Sequence, residues 1–151
     1  MLDCPVSYAE TGLSNSYYDV KTKRFLASDM CGVVLVYDLQ KPEPDIKQRF
    51  ETTNKTGIRG LCFDPIYNLL FTGSIDNGEI CVFNIDLIGK DTTAQATITM
   101  KSKTQVRCLA WSASRKEVYS GHEDGTITIW DLKKQMPICK ISLKICMVFI
   151  K

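Results

Sequence analysis

Three stretches of the sequence repeat one another. Phe25–Leu39 reads FLASDMCGVVLVYDL, Phe71–Ile85 reads FTGSIDNGEICVFNI, and Val118–Leu132 reads VYSGHEDGTITIWDL. Their glycines, Gly32, Gly78 and Gly125, stand 46 and 47 residues apart (78 − 32 and 125 − 78). The aromatics that follow, Tyr37, Phe83 and Trp130, keep the same spacings. Two landmarks holding one period in the forties restrict the chain to consecutive copies of one small unit, each packed on its neighbours. Within the copies the apolar residues alternate or run in short bursts, and no segment sustains a helical period. The chain reads as all-β.

Each copy can be divided into four short strands, the pattern of a propeller blade. In the third copy these are Ala96–Met100, Val106–Trp111, Glu117–Ser120 and Thr126–Trp130, and IRGLCF at Ile58–Phe63 parallels VRCLAW in the second place. Asn77-Gly78 and Asp124-Gly125 are hairpin-turn signals, read as turns with both central residues at positive φ; Cys31-Gly32 is a weaker one. The blades are expected at about 6–40, 45–86 and 94–132 of a single partial propeller spanning 1–151. KPEPD (Lys41–Asp45) and LIGKDTT (Leu87–Thr93) join them, the prolines withholding ladder donors. A thirteenth strand at Ile138–Leu143 is expected to open a fourth blade over 137–151.

Composition narrows the function more than the fold. A net charge of +2 gives no general field for nucleic acid, membrane or acidic substrate. The longest apolar run, Ile145–Ile150, is far short of the ~20 residues a membrane helix needs. MLDCPVSYAE lacks the basic start and apolar stretch of a signal peptide, so the expected compartment is the cytosol. Seven cysteines include no C-x-x-C pair, and His122 is the single histidine, so neither a zinc site nor any cofactor is expected. Cys62, Cys81, Cys108 and Cys139 fall in predicted strands and are expected to be reduced core thiols.

GHEDGTITIWDL (Gly121–Leu132) resembles the end of a WD40 repeat, and the likeness runs over roughly residues 6–143, fading toward the N-terminus. More narrowly, KTGIRGLCFDPIYNLLFTGSIDNG (55–78) and DVKTKRFLAS (19–28) resemble blades of the WD-repeat and FYVE-domain proteins, without their zinc module. The resemblance implies a partial WD40-type β-propeller of three four-stranded antiparallel blades plus the first strand of a fourth. The narrower likeness implies an endosome-linked scaffold. The family's structural network joins a histidine ahead of the inner strand to a serine, a turn aspartate and the tryptophan. Ser120, Asp124 and Trp130 match the last three, but Ser102–Gln105 holds no histidine, so the network is expected to be incomplete. Tyr37, Phe83 and Trp130 are expected to be core aromatics between sheets.

Chemistry is sparse. His122-Glu123-Asp124 is the one cluster with a catalytic look, yet consecutive residues at a strand end do not converge, and Asp124 reads as a turn residue. A propeller hydrolase is the enzymatic alternative, and no convergent carboxylates or histidines support it. Arg59 and Arg107 each follow the first residue of an inner strand, with Lys55, Lys101 and Lys103 beside them. They form a candidate basic rim for acidic or phosphorylated peptides, because arginine grips carboxylate and phosphate through two N–H groups. Nucleic acid is not expected, since no aromatic platform accompanies the rim. The expected function is a non-catalytic protein-interaction scaffold. Three blades fall short of the four to eight that close a ring, so further blades or self-association are expected to complete it.

Overall fold

In the computed structural model the described residues are 12–40, 42–43, 45–52, 56–88 and 92–142. They form thirteen strands and a single 3₁₀ turn at Ile85–Leu87. Sheet I contains β1 (Leu13–Asp19), β2 (Arg24–Asp29), β3 (Val33–Asp38), β4 (Asp45–Thr52) and, parallel to β4, the short β8 (Thr92–Ala94). Sheet II contains β5 (Ile58–Asp64), β6 (Leu69–Ser74), β7 (Glu79–Asn84) and β9 (Ile98–Lys101). Sheet III contains β10 (Val106–Ser112), β11 (Glu117–His122), β12 (Thr126–Asp131) and β13 (Met136–Ser142). The other strand pairs are antiparallel.

Strand β13 does not open a fourth blade. It pairs with β12 from Thr126–Ser142 to Asp131–Met136 and supplies the outer strand of sheet III. β9 likewise pairs with β7, so it completes sheet II although it begins the third sequence copy. The repeat and the sheet are offset by one strand. A four-residue turn carries β12 directly into β13, whereas each later inner strand starts a new sheet. A fifth strand at 92–94, on the edge of sheet I, has no counterpart in the repeat.

The sheets stack through their faces. Sheet II shows why its strands are almost continuously apolar: both sides are covered. Leu61, Phe63, Leu70, Cys81 and Phe83 meet Leu26, Val34, Val36 and Phe50 of sheet I. Cys62, Phe71, Ile80, Val82 and Met100, the alternate residues, meet Val106, Val118 and Trp130 of sheet III. The inner strands lie side by side, β5 between β1 and β10. Glycine permits that approach, because a Cβ on Gly60 would stand 2.6 Å from Leu109 Cγ and one on Gly73 2.4 Å from Val106 Cγ1. Trp111 ties the pair together, its ring 4.7 Å from Phe71 and its indole N–H donating to Asp64 Oδ2 at 2.8 Å.

Sheet III has a different outer face. Cys108 and Cys139, expected in a core, are exposed. Both point away from sheet II, on the side shared by Tyr119, Ile127, Ile129 and Ile141. Cys62 and Cys81 are buried as expected, Cys31 is exposed, and the remaining two cysteines lie outside the described residues, as does the segment 145–150. Among the described residues no helix is long and apolar enough to cross a membrane.

Candidate functional site

The turns at one end of the three sheets build a common rim. Gly32, Gly78 and Gly125 have φ of 81°, 70° and 75°, but neither Asn77 nor Asp124 joins them at positive φ. The connections are three or four residues long, and such loops turn through ordinary right-handed residues and need one left-handed position at the end. At Gly78 a side chain is excluded twice over: by φ, and because a Cβ would lie 2.6 Å from the Thr104 carbonyl oxygen. That contact seats the 102–105 loop on the 75–78 turn, helped by Ser102 N–H donating to the Gly78 carbonyl at 2.9 Å. At the opposite end of the sheets the left-handed position is filled by Lys23, Asn68, Lys116 and Gln135, which no sequence landmark announced.

The proposed network residues do not meet as expected. Trp130 Nε1–H donates to Ser120 Oγ at 2.7 Å, and Ser120 Oγ is hydrogen-bonded to His122 Nε2 at 2.8 Å. The other ring nitrogen, Nδ1, lies 3.3 Å from Ser102 Oγ. His122 thus occupies the place for which the 102–105 loop has no residue. Val118, Ser120 and His122 alternate along β11 and share its buried face, the sequence signal that would have found the histidine. Asp124 stands outside this chain. It accepts from the Thr126 amide and hydroxyl at 3.0 and 2.6 Å and lies 3.7 Å from Lys140 Nζ. The Thr126 hydroxyl, ahead of Lys140, holds its carboxyl below the usual aspartate value.

Ser120 and His122 have the spacing of a nucleophile and its base, but Ser120 is 0% exposed and already receives the indole N–H. A substrate has no path to it. Among the described residues no group of histidine, cysteine, aspartate and glutamate is arranged to hold a metal ion. Tyr37, Phe83 and Trp130 are all buried. Phe83 lies 5.6 Å from Phe50 across the interface between sheets I and II, and Trp130 faces sheet II. Tyr37 lies on the opposite side of sheet I from Val34 and Val36, beside Phe25.

Arg59 and Arg107 are second residues of inner strands β5 and β10. Arg59 is exposed and makes no ion pair among the described residues. Arg107 is engaged: its guanidinium lies 2.5 Å from Glu123 Oε1. Lys103 borders a cleft of about 350 Å³ with Asp76, Gln105, Glu123 and Asp124. Lys55 lies outside the described residues. The rim is thus mixed in charge, with Glu123 against Arg107 and Asp76, Glu123 and Asp124 lining the cleft that Lys103 borders.

Comparison with known proteins matches residues 94–131 to the family "WD domain, G-beta repeat". The chain is 31% identical over 78 residues to a ribosome biogenesis protein WDR12 homolog of Trichoplax adhaerens, covering 50% of this chain and 18% of that one. It is 29% identical over 102 residues to the protein transport protein Sec31B of Mus musculus, covering 66% and 8% respectively. It is 27% identical over 93 residues to a THO complex subunit 6 homolog of Danio rerio, covering 61% and 27%. The matches therefore span less than a third of each relative, and none of the three is named as a FYVE-domain protein. Residues 94–131 match a WD40 repeat, and the three all-β sheets around them are consistent with part of a WD40-type β-propeller.

Proposed function

We propose that this chain is a non-catalytic protein-interaction module, and that its partner meets the loop-bearing rim through an acidic or phosphorylated segment at Arg59. The observation that carries the reading is the state of that arginine. It is exposed at the entry of a central strand and is not neutralised by a neighbour among the described residues. An unpaired guanidinium on a rigid sheet is prepared for a carboxylate or phosphate without breaking an internal contact. Arg107 contributes less directly, because a partner must first displace Glu123.

The relatives support a binding role in a general way. Their names refer to ribosome biogenesis, protein transport and a complex subunit, so a shared scaffold fits them better than a shared reaction. The burial of Ser120 favours the same reading over a hydrolase. The cytosol is the proposed compartment, and the endosomal alternative has no residue here to carry it.

The test is fluorescence polarisation with a glutamate-rich peptide and with its phosphoserine counterpart, alongside circular dichroism. Arg59→Glu should weaken binding by about tenfold or more, the scale of a reversed interfacial charge, while the β spectrum is kept. Adding Arg107→Glu should deepen the loss. Unchanged binding in the double variant, or no binding by the wild type, overturns the proposal.

A further inference from the structure

A second recess lies away from Arg59, between the outer strands of sheets II and III. It has a volume of about 410 Å³, within the range of a small binding groove. Lys101 and Lys103 form one wall, Pro137, Ile138 and Lys140 the other, and Trp130 lies at the base. The walls differ in origin. Lys101 ends β9, which is held to β7, whereas the opposite wall is β13, every residue of which is exposed. Ile138 is 55% exposed beside these ammonium groups. An apolar strip is therefore open to water inside a ring of three cations.

The cations are available. Lys101 lies 3.7 Å from Glu79 and Lys140 3.7 Å from Asp124, both with largely exposed ammonium side chains. Contacts that long and wet contribute little and exchange readily. Lys103 makes no ion pair among the described residues. A basic ring around an apolar base is complementary to a chain segment that carries both carboxylates and one apolar side chain.

We propose that this inter-sheet groove binds an extended acidic peptide. One leucine-sized side chain of the peptide sits against Trp130, Pro137 and Ile138, and flanking aspartates or glutamates pair with Lys103 and take Lys101 and Lys140 from their long internal contacts. The apolar contact supplies selectivity for the anchor residue, and the lysines supply attraction that salt screens. This site shares only Lys103 with the rim cleft and does not depend on Arg59.

The test uses the full chain and two labelled synthetic peptides: an Asp/Glu decapeptide with a central leucine, and the same peptide with serine there. At roughly 50 mM salt, where screening is weak, the leucine peptide should bind the more tightly. Lys101→Gln with Lys140→Gln should weaken both peptides by about fivefold, the effect of removing two partly exposed charge contacts. Ile138→Ser should weaken the leucine peptide by about fivefold and the serine peptide hardly at all, since only the former loses apolar contact. All of these values are read in the Arg59→Glu background, where the rim no longer holds an acidic peptide, which separates this groove from the rim. Equal affinity for the two peptides, indifference to Ile138→Ser or to the lysine pair, or tighter binding of a poly-uridine oligonucleotide overturns the proposal. Ile138 is exposed, so its variant reads the groove even if the lysine pair disturbs folding.

Discussion

Ser120 has one hydroxyl proton and three neighbours that compete for it or give to it. Trp130 donates, and the shorter remaining contact is to His122 Nε2 rather than to the Thr128 carbonyl at 3.4 Å. The network therefore assigns the imidazole proton to Nδ1, facing Ser102. Replacing His122 by alanine leaves the buried Ser120 hydroxyl only the long contact to the Thr128 carbonyl as an acceptor and takes the imidazole from the half-buried Ser102. His122→Ala should cost about 1–3 kcal/mol in urea unfolding, with His122→Gln retaining part of it. The histidine is illegible from the loop ahead of the inner strand, which holds none, and legible from strand alternation, which puts it on the face of Ser120. Cysteine chemistry divides the same way. Burial pushes the Cys62 thiol up to about 12. At pH 8, alkylation followed by mass mapping should label Cys31, Cys108 and Cys139 and spare Cys62 and Cys81 until the chain unfolds. The raised value also fixes a sign. The folded state holds the Cys62 proton more tightly than the unfolded chain, so its contribution to stability is complete below pH ~9 and is lost as pH rises toward 12.

Turns decide how the strands are delivered. Gly78 is needed for its conformation and for the space the Thr104 carbonyl takes, so Gly78→Ala should destabilise by more than the ~1 kcal/mol of a left-handed alanine alone. Chemical denaturation of this variant beside Gly12→Ala, where a Cβ meets nothing within 4 Å, separates the two contributions. The three glycine turns were legible because glycine is the residue a left-handed position selects. The four opposite turns were not, because Lys23, Asn68, Lys116 and Gln135 adopt the same conformation without a distinctive side chain. Aspartates accept the turn amides at three of those four loops, Asp131 taking that of Lys134 at 2.9 Å. Asp19 accepts from the Lys21 and Thr22 amides, and Asp64 from those of Ile66 and Tyr67. Burial alone would raise the Asp19 carboxyl, but the Thr22 hydroxyl and these amides hold it below its ordinary value. Its stabilising effect is therefore present above pH ~4 and fades as pH falls below that.

The three-sheet stack was readable from the period, because a repeated aromatic and glycine must return to equivalent positions in equivalent sheets. Which sheet each outer strand joins was not readable, since a period counts units and does not say where a unit is divided in space. The same limit applied to the rim: Arg59 and Arg107 were equivalent in sequence, yet only one faces Glu123. At this scale the outer face of sheet III has a physical consequence. Tyr119, Ile127, Ile129 and Ile141 present apolar area to water along β11, β12 and β13. The purified chain should self-associate through it, and Ile129→Lys should shift sedimentation toward smaller species. A monomer at all concentrations in the wild type would contradict this.

The one-strand offset also makes the molecule divisible in an unusual sense. A single peptide cleavage between Leu87 and Thr92 would leave β9 on the C-terminal piece while its ladder partner β7 stays on the N-terminal one. Backbone pairing from Glu79–Lys101 to Val82–Ile98, with Met100 in the shared apolar interface, would hold the halves together without a covalent link. Two separately produced pieces should then complement one another, co-eluting under native conditions and parting in denaturant. A cut between Ser102 and Val106 would leave β7 and β9 on the same piece and remove that clasp.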